Sequence, residues 1–279
     1  MKRGTLWPWL SVLAVIVTIA VNGLANVLPL NGQTTGAISD RFPVYFVPAG
    51  YVFSIWGLIY LGLIAFAVYQ VLPAQRENPR LRRIEALFPL SCLANIVWLF
   101  LWHYEVFLGT IVAMLALLGL LIAIYLRLEI GRGQVSRAEN WWVRLPFSVY
   151  LGWVTVATIA NVTSVLDYIE WSGWGIGPAW WAVIMLVAAT VIASLVSLTR
   201  GDVAYMLVII WAFTGIAVKH ADTPTVAVAA ALMVLVVAGV MAVGAKRRPE
   251  RPAPVEGQQE KEAGAEAPGA QPAPPEEQR

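Results

Sequence analysis

Residues 47–69 read VPAGYVFSIWGLIYLGLIAFAVY and contain no charged side chain. A helix rises about 1.5 Å per residue, so roughly 20 such residues cross the hydrocarbon core of a bilayer. Comparable runs recur along the chain without the alternation of apolar and polar residues that marks a membrane-spanning strand. We therefore predict eight transmembrane helices, at 7–28, 48–72, 84–103, 106–127, 146–167, 178–199, 201–219 and 223–245.

The composition supports an all-α integral membrane protein. Hydrophobic residues make up 59% of the 279 residues and charged residues only 13%, whereas about a quarter of a soluble domain is charged. Much of the surface must therefore face lipid, and the bilayer is a predicted partner. The net charge of +2 gives no reason to expect nucleic acid, because membrane orientation accounts for the basic clusters.

The basic residues predict the orientation of the chain. If both termini are cytoplasmic, 17 of the 19 Lys and Arg residues lie in cytoplasmic segments, and only Arg41 and Lys219 lie outside. Positively charged loops are retained in the cytoplasm. We therefore expect a multi-pass protein of the cell membrane, with its N- and C-termini cytoplasmic.

The chain divides into three predicted parts. Residues 1–169 form a five-helix unit, residues 170–245 add three helices after the turn near Gly173–Pro178, and residues 246–279 form a tail. The tail is rich in Pro, Ala, Glu, Gln and Gly, has almost nothing to bury, and is predicted to be disordered. Asp202, just before the seventh span, is predicted to cap that helix.

Metal and catalytic motifs are missing from the sequence. Cys92 is the only cysteine, and no HExxH, Walker loop, GxSxG or acidic metal cluster appears. His103 and Glu105 fall in a tight turn between the third and fourth spans, where we expect solvated side chains. The residues therefore favour a binding protein over an enzyme, with no required cofactor or metal.

Polar and aromatic residues share one depth in the predicted bundle. Asn22, Trp56, Asn95 and Asn161 each lie six to eight residues from the outer end of their spans, roughly 9–12 Å below the outer surface. Taken singly, each asparagine is explained by hydrogen bonding between helices. Together, beneath the long loop 29–47, they suggest a ligand pocket with a lid.

Helical spacing places further residues at this depth. Phe53, Trp56 and Tyr60 share one face of the second helix, as do Asn95, Trp98 and Trp102 on the third. On the fifth helix the set is Trp153, Ala157 and Asn161, in which the small alanine leaves room for a flat ligand. The predicted pocket residues are Asn22, Phe53, Trp56, Tyr60, Asn95, Trp98, Trp153, Ala157 and Asn161.

Three of these segments resemble a known family. Residues 47–69 resemble the second helix of the tryptophan-rich sensory proteins, which reads Pro-Pro-x-Trp-x-Phe and then x-x-x-Trp-x-x-x-Tyr. Residues 91–102, SCLANIVWLFLW, are similar to its third helix, where Trp follows Asn by three positions. Residues 145–166, LPFSVYLGWVTVATIANVTSVL, are similar to its fifth helix, which reads Pro-Tyr, Trp, Ala-Thr and then Asn.

Bacterial members of this family are called TspO, and mitochondrial relatives are known as the translocator protein or peripheral benzodiazepine receptor. The resemblance covers about residues 7–169 and implies a five-helix bundle that binds porphyrins and other tetrapyrroles or haem-type ligands near the outer face. At the positions that match the family's motifs, Trp56 and Asn95 would be pocket residues. The resemblance is also compatible with a homodimer. Ala49 and Tyr51 stand where the family prefers Pro and Trp, and the last three helices have no counterpart in a five-helix family.

Three functions follow as hypotheses. The first is a receptor or sensor for a small, planar, hydrophobic ligand such as a tetrapyrrole, held by stacking on indoles and oriented by the amides of Asn95 and Asn161. The second is a small-molecule transporter or permease, which eight helices would suit. The third is porphyrin breakdown, because indoles would lie close to the bound pigment.

Overall fold

The computed structural model describes residues 6–28 and 30–246. Within these residues eight long helices follow one another along the chain. They are α1 Leu6–Val27, α2 Ile55–Val71, α3 Leu87–His103, α4 Phe107–Arg127, α5 Leu145–Tyr168, α6 Pro178–Arg200, α7 Val203–Lys219 and α8 Pro224–Lys246. The predicted tail, apart from Lys246, lies outside the described residues.

Length and composition identify the molecule as an all-α, multi-pass membrane protein. Six helical segments of the described chain are long and apolar enough to span a bilayer, and α2 reaches that length with the 3₁₀ turn Gly50–Ser54 that precedes it. The other two, α3 and α7, are apolar helices of 17 residues each, about 26 Å long. Their crossing of the membrane, and the cytoplasmic location of both termini, stay predictions.

The start of the second helix differs from the predicted position. The sequence predicts that this helix begins at residue 48. In the structure a 3₁₀ turn begins at Gly50 and the α-helix begins at Ile55. At this point the chain contacts α7 instead, because the Ala49 amide donates to the Gly215 carbonyl at 3.1 Å and Ala49 has the non-helical ψ of 149°. At its own start, α5 follows directly on a π-helical turn, Asn140–Arg144.

The fifth helix is the centre of the bundle. It packs against α2, α4 and α7. A Cβ added to Gly152 would lie 3.1 Å from Val208 Cβ and 3.2 Å from the Tyr205 carbonyl, so the missing side chain allows α7 to approach closely. The division of the chain at residue 169 stays a prediction, and α7 is in direct contact with α5 and with the 3₁₀ turn Gly50–Ser54.

A buried carboxylate joins three helices at the start of α7. Asp202 caps α7 by accepting a hydrogen bond from the Tyr205 amide at 3.1 Å, as the sequence predicted. It also accepts hydrogen bonds from the Tyr125 hydroxyl on α4, at 2.9 Å, and the Ser148 hydroxyl on α5, at 2.6 Å. One acceptor group therefore fixes α4, α5 and α7 relative to each other.

At the opposite end of the bundle lies the segment 30–49, here called the roof, which contains the short helix Thr35–Ser39. His103 attaches the roof to α3. Its Nε2 lies 3.0 Å from Thr35 Oγ1 and its Nδ1 lies 3.2 Å from the Leu30 carbonyl. Since a carbonyl only accepts, Nδ1 donates and Nε2 accepts. The expectation that His103 is solvated is wrong, because the roof folds over it and buries it completely.

Two exposed ion pairs hold the edge of the roof. Arg41 Nη1 lies 2.8 Å from Glu105 Oε1, and Lys219 Nζ lies 3.2 Å from Asp40 Oδ1. The first pair joins the roof to the turn between α3 and α4, and the second joins it to the end of α7. Exposed pairs of this kind contribute only about 0–1 kcal/mol each, so the edge of the roof is weakly held.

Acidification is expected to loosen this edge. Hydrogen bonds from Arg41 and Gln33 hold the pKa of the Glu105 carboxyl below its ordinary value. A carboxyl with a lowered pKa stabilises the folded state above its ordinary pKa and loses that effect as the pH falls through the lowered one. Amide hydrogen exchange of residues 33–42, corrected for its intrinsic pH dependence, should therefore accelerate modestly below about pH 4.

The control for this measurement is Glu105→Gln, which removes the charge and keeps the shape. Exchange in this variant should already be faster at neutral pH and should converge with the wild type in acid. A difference between the two proteins that stays constant across the pH range would contradict the assignment.

Candidate ligand pocket

A cavity lies directly under the roof, enclosed by α2, α3, α4 and α5. Its volume is about 70 Å³. The roof and the start of the second helical segment close it on one side, and the four helices form its walls and floor. Its lining consists of Thr35, Ser39, Val47, Pro48, Phe53, Trp56, Asn95, Trp98, Trp102, Met114, Leu117, Trp153, Val154, Val156, Ala157, Ala160, Asn161 and Ser164.

Four indoles dominate this lining. Trp98 and Trp102 are stacked, with ring centroids 5.6 Å apart and an interplanar angle of 18°. Trp153 meets Trp56 edge to face at 6.2 Å, and Trp102 donates its indole N–H to the Thr35 carbonyl at 3.2 Å. Three helices thus supply flat apolar faces to one small space, and one of the indoles is bonded to the roof.

The amides at this depth link neighbouring helices. Asn22 donates to Asn95 Oδ1 at 2.9 Å, which joins α1 to α3. Asn161 accepts from the Trp98 indole at 3.2 Å and donates to Thr110 Oγ1 at 2.8 Å, which joins α5 to α3 and α4. The amides of Asn95 and Asn161 therefore bond between helices and also face the cavity, so the two interpretations of these asparagines are compatible.

One donor in the pocket has no partner. The Nε1 of Trp153 is buried and makes no hydrogen bond to any residue that the structure describes, and the whole side chain is only 2% exposed. A buried N–H without an acceptor costs about 1–3 kcal/mol. Trp153 itself is one of the residues that line the cavity.

Comparison with known families decides the identity. A family model described as "TSPO-like protein" matches residues 8–243. The chain belongs to the TSPO-like protein family. No curated protein and no solved structure matched it. The family match continues through α6, α7 and α8, whereas the resemblance seen in the sequence stopped near residue 169.

Most of the predicted pocket residues of this TSPO-like protein meet at the cavity. Seven of the nine line it, namely Phe53, Trp56, Asn95, Trp98, Trp153, Ala157 and Asn161. The other two lie one layer behind: Tyr60 stacks on Trp56 at 5.5 Å, and Asn22 contacts Asn95. Whether any of the nine binds a ligand stays a prediction.

Sequence reasoning missed several residues of the TSPO-like pocket. Trp102 lines it although it was not among the nine predicted residues, and its place on the face of Asn95 and Trp98 was the available signal. Thr35, Ser39 and Pro48 come from the roof, where no periodicity marks a side chain as buried. Within the described residues no group of His, Cys, Asp and Glu could hold a metal ion.

The added helices of this TSPO-like protein support the pocket from outside. On α7, the Trp211 indole donates to the Val52 carbonyl at 3.1 Å, and the Gly215 carbonyl accepts from Ala49. Pro48, the roof residue next to Ala49, lines the cavity. The helix α7 therefore positions part of the wall without reaching the cavity itself.

Proposed function

We propose that this TSPO-like protein is a membrane receptor for a planar, largely apolar ligand, with the tetrapyrroles as the first class to test. The unpaired indole N–H of Trp153 carries the proposal. Trp153 lines a cavity with mostly apolar and aromatic walls, and a ligand acceptor that reaches its buried N–H as the wall rearranges would satisfy it. A ring stacked on these indoles gains about 0.5–1.5 kcal/mol per aromatic pair beyond its burial.

The size of the cavity bears on how such a ligand binds. A volume of about 70 Å³ is well below the roughly 300–1,000 Å³ of pockets that hold drug-sized molecules. A tetrapyrrole therefore requires the roof to move away from the stacked Trp98 and Trp102. The two exposed ion pairs at the edge of the roof oppose this movement only weakly.

Opening of the roof would also provide a signal. A ligand that binds only the open form shifts the population toward that form. The roof contacts α3 through His103 and α7 through Asp40 and Lys219, so its displacement would alter contacts on both helices. This coupling of binding to conformation suits a sensor.

The test is a titration of the purified full chain with protoporphyrin IX, followed by the Soret absorbance of the pigment. Trp153→Phe keeps an aromatic ring and removes the N–H, and should weaken binding about tenfold. Trp141→Phe, at an exposed indole outside the cavity, should bind like the wild type. Equal affinities of wild type and Trp153→Phe would overturn the proposal.

A second pair of variants tests whether the ligand binds in this cavity, by filling part of the cavity with a larger side chain. Ala157→Leu places three more carbon atoms in the cavity wall and should reduce binding at least as strongly. Ala116→Leu adds the same atoms at an exposed position of α4 that does not line the cavity. Protoporphyrin-dependent flux in sealed vesicles, or loss of the bound pigment's spectrum under light, would replace the receptor proposal with transport or degradation.

A further inference from the structure

A second, larger pocket lies beside the roof, between α5 and α6. Its volume is about 580 Å³, within the roughly 300–1,000 Å³ typical of small-molecule sites. Residues 43–46 of the roof, the last turns of α5, the turn 171–176 and the first turns of α6 form its walls. We call it the side pocket. It exists only because α6 packs at this position, so it depends on the added helices.

The side pocket is separate from the cavity under the roof. The two share no lining residue, although they lie on opposite sides of the same elements. On α5, Val162 and Leu166 face the side pocket while Asn161 and Ser164 face the cavity. A ligand in one pocket therefore contacts the opposite face of α5 from a ligand in the other, and the two do not compete for the same surface.

Tryptophans and one carboxylate set the chemistry of the side pocket. Trp171 and Trp181 both line it, with ring centroids 5.0 Å apart and an interplanar angle of 56°. The Trp181 indole donates to the Gly173 carbonyl at 2.9 Å, which fixes both the ring and the turn. Asp167, at the end of α5, contributes the only charged side chain among the described lining residues.

The carboxylate of Asp167 has no ion-pair partner within 6–28 and 30–246. The nearby turn adds a second acidic residue, Glu170, and no Lys, Arg or His of the described chain lines the pocket. Indole faces attract cations through the negative potential of the ring. A carboxylate beside such faces selects positive charge over negative charge.

We infer that the side pocket is a binding site for a hydrophobic organic cation. The apolar walls from residues 43–46, α5 and α6 bury the body of the molecule, and Trp171, Trp181 and Asp167 hold its positive charge. The site is distinct from the one proposed for a planar ligand, and it does not depend on that proposal.

Two ions of nearly the same shape and opposite charge test this inference. Tetraphenylphosphonium and tetraphenylborate are titrated by calorimetry into the full chain in nonionic detergent, with empty micelles subtracted. Tetraphenylphosphonium should bind saturably and more weakly as salt is added, whereas tetraphenylborate should bind at least about tenfold more weakly. Equal binding of the two ions, or no saturable binding of the cation, would overturn the inference.

Variants then locate the charge. Asp167→Asn keeps the shape of an exposed side chain and should weaken tetraphenylphosphonium binding about tenfold. Glu170→Gln removes the neighbouring charge outside the pocket lining and should change the affinity by less than about twofold. Ala157→Leu, which fills the other cavity, should leave it unchanged. Unaltered affinity in Asp167→Asn, or a larger loss in Ala157→Leu, would show that the cation binds elsewhere.

Discussion

Replacing Asp202 by alanine is expected to lower the free energy of unfolding by about 3–7 kcal/mol. The carboxylate is 2% exposed and accepts three hydrogen bonds, from the Tyr125 hydroxyl, the Ser148 hydroxyl and the Tyr205 amide. Alanine removes the cap of α7, which costs about 1 kcal/mol. It also leaves two buried hydroxyls without an acceptor, at about 1–3 kcal/mol each.

Thermal or denaturant unfolding of the purified protein measures this effect. Asp222→Ala, at an exposed carboxylate in the turn after α7, is the matched control and should unfold like the wild type. Asp202→Asn retains one acceptor oxygen and should fall between the two. A loss below about 1 kcal/mol in Asp202→Ala would show that the three contacts do not hold α4, α5 and α7 together.

Replacing Gly215 by valine is expected to displace the wall of the candidate pocket. A Cβ on Gly215 would overlap Val52 Cγ2 and lie 3.1 Å from Pro48 Cβ. The Ala49 amide is bonded to the carbonyl of the same glycine, so the 48–52 segment cannot keep its place. Overpacking of this kind costs about 1–3 kcal/mol, and the affinity for protoporphyrin IX should fall at least about tenfold if the cavity is its site.

Gly239→Val is the control, because Gly239 lies in α8, is exposed, and has no atom within 4 Å of an added Cβ. Both variants place a β-branched residue in a helix, so the difference between them reports the contact with residues 48–52. Unfolding and faster hydrogen exchange at residues 48–54 should appear in Gly215→Val alone. Equal stability and exchange in the two variants would rule out support of the wall by α7.

These contacts give the last three helices a structural role. The α7 helix holds the 48–54 segment through Gly215 and Trp211 and contacts the roof through Lys219. The α6 helix forms one wall of the side pocket. In a five-helix bundle these supports would have to come from elsewhere, so conclusions about ligand choice do not transfer directly from five-helix relatives.

Local patterns in the sequence determined the helices and much of the polar layer. Long apolar runs predict helices because lipid offers no partner for backbone polar groups, and seven of the eight helix starts lie within three residues of the predicted positions. Depth counted along separate helices predicted Asn22 and Asn95 at one level, and the two are hydrogen-bonded at 2.9 Å. The cap of α7 by Asp202 was also predictable from the local sequence, because the Tyr205 amide that donates to it lies only three residues away.

Only the tertiary structure decided how the pocket is closed and supported. His103 looked solvated in a turn, yet the roof buries it through contacts 68 and 73 residues away in sequence. The bond between Trp211 and Val52 spans 159 residues, and the pair of Lys219 and Asp40 spans 179. Hydropathy and helical periodicity report neighbours a few residues apart. The volume of the cavity, the unpaired Trp153 N–H and the side pocket depend on packing between distant segments.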